Sequence, residues 1–175
     1  MSNLISEENK YCGRRFKIVQ KVYNRNGKQY IRDCVEPGNS VVILPITEDN
    51  EVIFIKQERE VVGKITLELP AGMIDKNELP EQTAKRELEE EVGLKAEYVE
   101  FLTDFYPSCG YTNERMYIYL AKNFSKGKQH FDESEEILNI EKISLEKCME
   151  KLANNEFEHA NIPIALYTYY YKYHK

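Results

Sequence analysis

The stretch from Gly72 to Leu94 constrains the fold more than any other, because it places a dense run of charge between two glycines. Pro80 suits the first turn of a helix, where the N–H that proline lacks would have no partner. Gly93 suits the left-handed residue that ends a helix. The pattern therefore predicts a loop, then a helix that begins near Pro80 and stops at Gly93.

The predicted helix has two distinct faces. An apolar stripe for docking on a core recurs at every fourth position: Ala84, Leu88 and Val92. A neighbouring face carries three carboxylates that are spaced three and four positions apart: Glu87, Glu90 and Glu91. Glu89 points elsewhere, and we interpret it as a solvated surface charge.

The crowded carboxylates have two interpretations. Like charges on one face repel each other, and a hard divalent cation such as Mg²⁺ or Mn²⁺ would turn that repulsion into binding. The alternative is a plain exposed helix, because runs of charge are usually solvated faces, and the three glutamates alone favour it. The wider spacing reverses that preference. Seven residues stand at fixed distances from one another: Gly72, Glu78, Arg86, Glu87, Glu90, Glu91 and Gly93. A random sequence would carry these seven residues at this spacing at about one in 10⁷ starting positions.

With this spacing the stretch resembles the Nudix box, and the chain is similar to the Nudix hydrolases. Glu68-Leu69-Pro70-Ala71-Gly72 resembles the ELPAG element of the ADP-ribose pyrophosphatase branch, and Lys56-Gln57-Glu58-Arg59 resembles its KQ-x-R segment. Cys109 stands where that branch usually has a proline associated with ADP-ribose preference, and Glu58 replaces a commonly aromatic residue. Because of these two departures, the resemblance does not establish which nucleotide sugar is the substrate.

The resemblance implies a set of site residues. A site for Mg²⁺, with Mn²⁺ as a substitute and two or three ions in all, would use Glu87, Glu90, Glu91 and the Ala71 carbonyl. The catalytic residues would be Glu87, Glu91, Arg86 paired with Glu78, and Glu133 as the base, with Glu135 and Glu136 as alternatives. Substrate binding would use Arg59, Gln57, Glu68, Arg32 and Gly110. Each substrate-binding residue and Arg86 could instead make a structural salt bridge or surface contact.

Composition restricts the class of protein. A length of 175 residues suits one domain with a small appendage, and a net charge of −6 disfavours nucleic-acid binding. The chain has no apolar run long enough for a membrane span and no apolar leader. Four scattered cysteines are typical of reduced thiols, so we expect a cytoplasmic protein without zinc.

Residues 1–38 form a predicted N-terminal β appendage that precedes a hydrolase domain over residues 39–175. Residues 1–13 are predicted to be a loose polar start, and residues 14–35 a hairpin that turns at Asn26-Gly27. Strands are predicted at residues 40–46, 51–57, 65–69, 96–106, 114–121 and 137–143, with polar loops at 58–64 and 123–136. Two further helices are predicted, one capped by Ser144 and running to about residue 154, the other capped by Asn161. This order predicts an α/β fold, a mixed sheet sandwiched by helices, in agreement with the Nudix α/β/α sandwich.

The resemblance implies an enzyme that hydrolyses the pyrophosphate of a nucleoside diphosphate sugar, with ADP-ribose, yielding AMP and ribose 5-phosphate, as the leading substrate. It also implies a homodimer formed through the appendage. Alternative substrates are GDP-mannose, ADP-glucose, oxidised nucleoside diphosphates and, less in keeping with the flanks of the box, mRNA caps or dinucleoside polyphosphates. A different class, a catalytically inactive ADP-ribose sensor that regulates a partner, is disfavoured by the complete box and by the absence of a basic recognition helix.

Overall fold

A computed structural model of the chain describes residues 2–130 and 137–174. The chain divides into two compact units. We call residues 1–39 and 105–116 the N-terminal unit, and residues 40–104 and 117–175 the core unit.

The strands are β1 (Asn3–Cys12), β2 (Lys17–Arg25), β3 (Lys28–Glu36), β4 (Ser40–Pro45), β5 (Glu51–Arg59), β6 (Lys64–Glu68), β7 (Ala71–Met73), β8 (Leu94–Phe105), β9 (Met116–Lys126) and β10 (Ile137–Ser144). The helices are α1 (Pro80–Glu87), α2 (Leu145–Ala153) and α3 (Asn161–Tyr173), and a π-helical turn, Leu88–Val92, continues α1. Within the described residues, no helix is long and apolar enough to cross a bilayer.

The N-terminal unit contains a three-stranded sheet in the order β1-β2-β3, with antiparallel pairing throughout. The predicted hairpin is confirmed as β2 and β3. Asn26 and Gly27 connect these strands with φ angles of 52° and 79°. Two consecutive left-handed residues match the right-handed twist of a hairpin, which explains why Asn-Gly specifies this turn.

The expectation of a loose polar start is wrong, because β1 occupies residues 3–12 and pairs with β2. All ten residues of β1 are exposed. A strand with no buried face need not alternate apolar and polar residues, so its sequence lacks the pattern by which strands are recognised. The pairing also shifts register at two places, which weakens any regular pattern further.

The core unit contains two sheets, in the orders β10-β5-β6 and β7-β4-β9-β8. All six residues of β4 are buried, as are residues 52–55 of β5. These strands lie at interior positions of their sheets and are covered on both faces, which explains their unbroken apolar sequences. The predicted strands are therefore confirmed, with adjusted ends.

The helices pack on these sheets. Ala84 and Leu88, both fully buried, pack with Val41 and Ile43 of β4 in one apolar cluster, and the partly buried Val92 packs against it. The stripe predicted from the sequence is thus confirmed. Helix α2 packs against β10 and β5, and α3 packs against β4. Strands and helices in this arrangement confirm the predicted α/β class.

Several boundaries differ from the prediction. The loop predicted at residues 58–64 shrinks to residues 60–63, because β5 and β6 extend as a hairpin. The carboxylate helix, as we call α1 together with the π-turn (residues 80–92), does not follow β6 directly, because β7 intervenes and pairs with β4. Strand β9 runs on to Lys126, into the predicted polar loop. The residue that caps α3 is Ala160, one position before the predicted Asn161, while Ser144 caps α2 as expected by accepting from the Lys147 N–H at 3.2 Å.

Candidate active site

The carboxylate helix changes its winding within the run of glutamates. The α-helix ends at Glu87, the π-turn covers Leu88–Val92, and Gly93 ends it with φ 74°. A single helix over the whole stretch was predicted, so the π-turn is a correction. A π-turn forms hydrogen bonds between residues five positions apart, where an α-helix forms them four apart, and such turns are frequent at functional sites.

The three carboxylates differ in exposure along this turn. Glu87 and Glu91 are buried, with 6% and 2% of their surface exposed, whereas the Glu90 side chain is 36% exposed. They nevertheless remain neighbours, since Arg86 Nη1 donates to Glu87 Oε1 at 2.7 Å and to Glu90 Oε2 at 2.9 Å. The structure therefore has two buried carboxylates and one at the surface, and the Arg86 guanidinium joins Glu87 to Glu90.

Arg86 also fixes the loop that precedes the helix. Its Nε and Nη2 each donate to the Glu78 carboxylate at 3.1 Å, and Nη2 donates to the Met73 carbonyl at 3.2 Å. The Arg86–Glu78 pair expected from the sequence is present. The hydrogen bond from Arg86 is the main cause that lowers the pKa of Glu78 below its ordinary value.

Gly72 allows the loop to approach Glu87. A Cβ at this position would lie 1.9 Å from Glu87 Oε1 and 2.0 Å from Glu87 Cδ. Both atoms belong to the carboxylate, so the space that a side chain would fill is taken by the carboxylate of Glu87. Glycine is thus needed at the start of the box because the Glu87 carboxylate lies so close to the Gly72 backbone. The backbone angle of Gly72 is not the reason.

Glu91 is held against the same loop. Its Oε2 accepts the Ala71 N–H at 3.0 Å, and Ala71 pairs with Val42 where β7 lies beside β4. The loop therefore places the backbone of Ala71 beside one buried carboxylate and Gly72 beside the other. This short strand between β6 and α1 was not predicted, yet it provides the contact that orients Glu91.

The donor set suits a hard divalent cation, because carboxylate and carbonyl oxygens are the ligands such ions prefer. Three acidic, histidine or cysteine side chains do not converge on a common ion-sized point anywhere in residues 2–130 and 137–174. The Arg86 guanidinium supplies the positive charge between Glu87 and Glu90. The oxygen chemistry therefore fits a cation, with Arg86 as the competing partner.

A second polar cluster surrounds Glu68, which is 2% exposed. Arg59 donates to both of its oxygens, from Nε at 2.8 Å and from Nη2 at 2.7 Å, and the Thr66 hydroxyl donates to Oε1 at 2.5 Å. Thr66 also donates to the Gln57 carbonyl at 3.3 Å. Burial raises the pKa of Glu68, but the hydrogen bonds from Arg59 and Thr66 outweigh burial and leave the pKa below its ordinary value.

Three predicted substrate-binding residues, Gln57, Arg59 and Glu68, are thus brought together where β5 pairs with β6. The salt-bridge alternative for Arg59 is present in the structure. Sequence reasoning missed His159, whose Nε2 lies 3.6 Å from Glu68 Oε2. No local signal connects His159 to β6, because only the packing of the segment before α3 brings it there. Thr66 was recognisable, since it stands two positions from Glu68 on the same face of a strand.

The other predicted substrate-binding residues, Arg32 and Gly110, line a groove of about 420 Å³ within the N-terminal unit. The Arg32 guanidinium lies 4.8 Å from the centre of the Tyr30 ring, which itself stacks on Tyr23 at 5.8 Å. Cys109, the departure noted in the sequence, lines the same groove. The N-terminal unit therefore has a basic and aromatic groove of its own.

Two expectations about acidic residues have different outcomes. The candidate base Glu133 and its alternatives Glu135 and Glu136 lie outside the described residues. Glu89, interpreted as a surface charge, has a side chain that is 29% exposed, and its Oε1 accepts from the Lys128 N–H and pairs with Lys95 Nζ, both at 3.2 Å. The hydrogen bond from Lys128 is the main cause that lowers the pKa of Glu89.

Comparison with known proteins finds similarity over most of the chain. The NUDIX domain family matches residues 36–163. An ADP-ribose pyrophosphatase of Bacillus subtilis (strain 168) is 32% identical over 165 residues, which cover 93% of this chain and 89% of that protein. A methanol dehydrogenase activator of Bacillus methanolicus is 30% identical over 164 residues, with the same coverage of 93% and 89%. The crystal structure of an ADP compounds hydrolase matches with a TM-score of 0.84 at 26% identity, covering 95% of this chain and 91% of that one.

Proposed function

The chain belongs to the NUDIX family of hydrolases, and from this premise we propose that it hydrolyses the diphosphate bond of ADP-ribose to give AMP and ribose 5-phosphate. The family and the match to an ADP compounds hydrolase confirm the predicted Nudix fold and the class of enzyme. Relatives named for ADP-ribose and for ADP compounds support hydrolysis of ADP-sugars.

One observation carries the proposal: two buried carboxylates, Glu87 and Glu91, lie against the backbone of Ala71 and Gly72. Carboxylate and carbonyl oxygens are the ligands that a hard divalent cation prefers, so two carboxylates beside this stretch of backbone support a cation site. The ADP-ribose pyrophosphatase of Bacillus subtilis supports the choice of substrate, because the similarity covers 93% of this chain.

We propose that Glu87, Glu90, Glu91 and the Ala71 carbonyl hold Mg²⁺, for which Mn²⁺ can substitute. When bound, the cation supplies charge neutralisation of the diphosphate and a lowered pKa for a bound water. Arg86 then keeps its hydrogen bonds to Glu78 and the Met73 carbonyl, which orient the loop of Ala71 and Gly72. Glu133 is our proposed base for the attacking water, with Glu135 and Glu136 as alternatives.

The substrate roles follow from the cluster around Glu68. We propose that Arg59 contacts the diphosphate while Glu68 orients its guanidinium, because a planar fork held on one side presents fixed donors to phosphate oxygens. Gln57 is proposed to contact the ribose or the base. Arg32 and Gly110 are proposed substrate contacts from the N-terminal unit, with Arg32 acting in a second subunit. We further propose a cytoplasmic homodimer.

The experiment that tests this function is a substrate panel with Mg²⁺, in which release of the nucleoside monophosphate is measured. The panel contains ADP-ribose, ADP-glucose, GDP-mannose, NADH, diadenosine polyphosphates and 8-oxo-dGDP. We expect ADP-ribose to lead by at least about tenfold in kcat/KM, which corresponds to about 1.4 kcal/mol of transition-state stabilisation. If another sugar nucleotide had the highest kcat/KM, that compound would be the preferred substrate. Cys109 and Glu58 would then be the first residues to examine as the cause of the changed specificity. No turnover of any compound with Mg²⁺ or Mn²⁺ would contradict the proposal and favour the sensor.

A second candidate function comes from the relative named as a methanol dehydrogenase activator, which matches this chain over the same 93% of its length. In this case the protein would raise the turnover of a dehydrogenase. The measurement is the rate of a purified methanol dehydrogenase with and without this protein. An unchanged rate would exclude this candidate.

A further inference from the structure

The chain returns to the carboxylate helix after β9. Residues 127–130, which we call the clasp, donate four hydrogen bonds to the C-terminal end of that helix. The pairs are Gly127 N–H to the Gly93 carbonyl at 2.8 Å, Lys128 N–H to Glu89 Oε1 at 3.2 Å, Gln129 Nε2 to the Glu91 carbonyl at 2.8 Å, and His130 N–H to the Glu90 carbonyl at 2.9 Å. Three of these donors are backbone groups, and the fourth is a side-chain amide.

The clasp supplies hydrogen-bond donors to carbonyl groups at the end of the carboxylate helix. The last carbonyls of a helix have no partner within it, and a π-turn is short and rarely stable on its own. The carbonyls of Glu90 and Glu91 receive their hydrogen bonds from the clasp. The backbone of two of the three proposed carboxylate ligands, Glu90 and Glu91, is therefore fixed by a segment far along the chain.

Glu91 is held at both of its ends. Its carboxylate accepts the Ala71 N–H at 3.0 Å, and its carbonyl accepts the Gln129 amide at 2.8 Å. Because the residue is 2% exposed, its carboxylate has little room to find another orientation if one of these contacts is lost. The Gln129 side chain thus acts on the position of a buried ligand without contacting the carboxylate itself.

Close packing keeps the clasp in place. A Cβ on Gly127 would lie 3.0 Å from Glu89 Cγ and 3.1 Å from Lys95 Cγ, so a side chain at this position would crowd both residues. Glu89 then joins the two segments through Lys128 N–H and Lys95. This contact gives Glu89 a structural task that differs from cation binding.

We propose that Gln129 is a positioning residue for the cation site: its amide fixes the π-turn at Glu91 and thereby the placement of the carboxylates of Glu90 and Glu91. This role rests on the proposed function, because it concerns the ligands of the proposed Mg²⁺ site. It assigns a task to a residue outside the box and outside the substrate cluster.

The test compares Gln129→Met with wild type and with Lys128→Ala. Methionine has a similar length but no donor, while Lys128 donates through its backbone N–H, so its side chain can be removed without loss of that hydrogen bond. Mn²⁺ binding is measured without substrate by electron paramagnetic resonance of the free ion. Partners behind metal ligands typically contribute 10- to 100-fold in affinity, so we expect Gln129→Met to bind Mn²⁺ at least about tenfold more weakly and Lys128→Ala to match wild type.

Kinetics with ADP-ribose separate positioning from substrate binding. We expect Gln129→Met to need more Mg²⁺ for half-maximal rate and to show a lower kcat with an unchanged KM for ADP-ribose. Circular dichroism establishes that each variant is folded. If Gln129→Met does not fold, Gln129→Asn replaces it, because its amide is one methylene too short to keep the same contact and the same loss of Mn²⁺ affinity is expected.

Two outcomes would overturn the role of Gln129 in distinguishable ways. A folded variant that binds Mn²⁺ within twofold of an active wild type would contradict the role of Gln129 and leave the proposed function intact. A wild type that neither binds Mn²⁺ nor hydrolyses any nucleotide would overturn the proposed function, and the role of Gln129 with it.

Discussion

Glu91 combines deep burial with a hydrogen bond from the Ala71 N–H, and this geometry leads to the first prediction. Glu91→Gln keeps the shape and the acceptor oxygen but removes the charge. We expect a folded protein that loses more than about 100-fold in Mg²⁺-dependent kcat, since even partners behind metal ligands contribute 10- to 100-fold. The measurement is ADP-ribose hydrolysis, with Glu81→Gln as the control because Glu81 is an exposed residue of the same helix. Activity near the wild-type level would rule Glu91 out as a ligand.

Glu68 leads to a prediction about pH, because its pKa in the folded protein lies below its ordinary value. A carboxylate with a lowered pKa stabilises the fold above its unfolded pKa, and that stabilisation is lost as the pH falls through the folded pKa. We expect Glu68→Gln to lower the free energy of unfolding by about 1–3 kcal/mol at neutral pH, the usual range for hydrogen bonds to a charged group. The difference from wild type should shrink below about pH 4.

Urea unfolding at several pH values measures this difference. Glu158→Gln is the matched control, because Glu158 forms an exposed salt bridge with Lys64 beside the Glu68 cluster. Exposed pairs contribute little, so the control should stay within about 1 kcal/mol of wild type. A Glu68→Gln deficit that stayed constant or grew on acidification would show that Glu68 is not a stabilising charged carboxylate.

Among the elements, the β2–β3 hairpin depends most directly on one residue. Gly27 has φ 79° and Gly110 has no such angle, while neither has an atom within 4 Å of an added Cβ. Gly27→Ala therefore introduces backbone strain of about 1–2 kcal/mol without a clash, and Gly110→Ala is a matched control without strain. We expect hydrogen exchange of the β2 and β3 amides to be about 5–30-fold faster in Gly27→Ala and unchanged in Gly110→Ala. Equal exchange in both variants would contradict the left-handed turn.

The two parts of the carboxylate helix have different causes. Residues 80–87 follow local rules, with Pro80 at the first helical position and the Gln82 side chain accepting from the Leu79 N–H at 2.9 Å. The π-turn that follows depends on partners outside the helix, namely the clasp and the loop at Ala71. Of the carboxylates of the proposed site, Glu87 therefore belongs to the locally determined α-helix, whereas Glu90 and Glu91 belong to the π-turn that depends on tertiary contacts.

At the scale of the whole molecule, the N-terminal unit has little core of its own. Among its described residues only Val19 is buried, at 3% exposure. Seven large apolar or aromatic side chains in the described part of this unit are 43–59% exposed: Leu4, Ile5, Tyr11, Phe16, Ile31, Tyr106 and Tyr111. Exposed apolar surface of this extent is typical of interfaces, which supports the proposed homodimer.

We expect sedimentation velocity to give twice the 20.6 kDa mass of one chain. Ile31→Arg replaces one of these exposed apolar side chains by a charge and should shift the protein toward monomer. Val61→Arg is the control, because Val61 is fully exposed in the core unit. Dissociation by Val61→Arg but not by Ile31→Arg would assign the interface to the core unit instead.

Features that depend on a residue and its near neighbours could be predicted from the sequence. These include the Asn26-Gly27 turn, the buried strands β4 and β5, the apolar stripe of the carboxylate helix and its end at Gly93, and the spacing of the box. Proline and glycine restrict or extend the available φ angles, and burial imposes a period on apolar residues, so such features can be recognised locally.

Other features depend on contacts between segments that are far apart in the chain. The strand β1 has no alternating pattern because none of its residues is buried. The π-turn, the contact of His159 with Glu68 and the docking of residues 127–130 on the helix join segments that are distant in sequence. Such hydrogen bonds form between groups that have no partner nearby in the sequence, and the fold decides which groups these are. Neither the periodicity of apolar residues nor the spacing of motifs predicts these contacts.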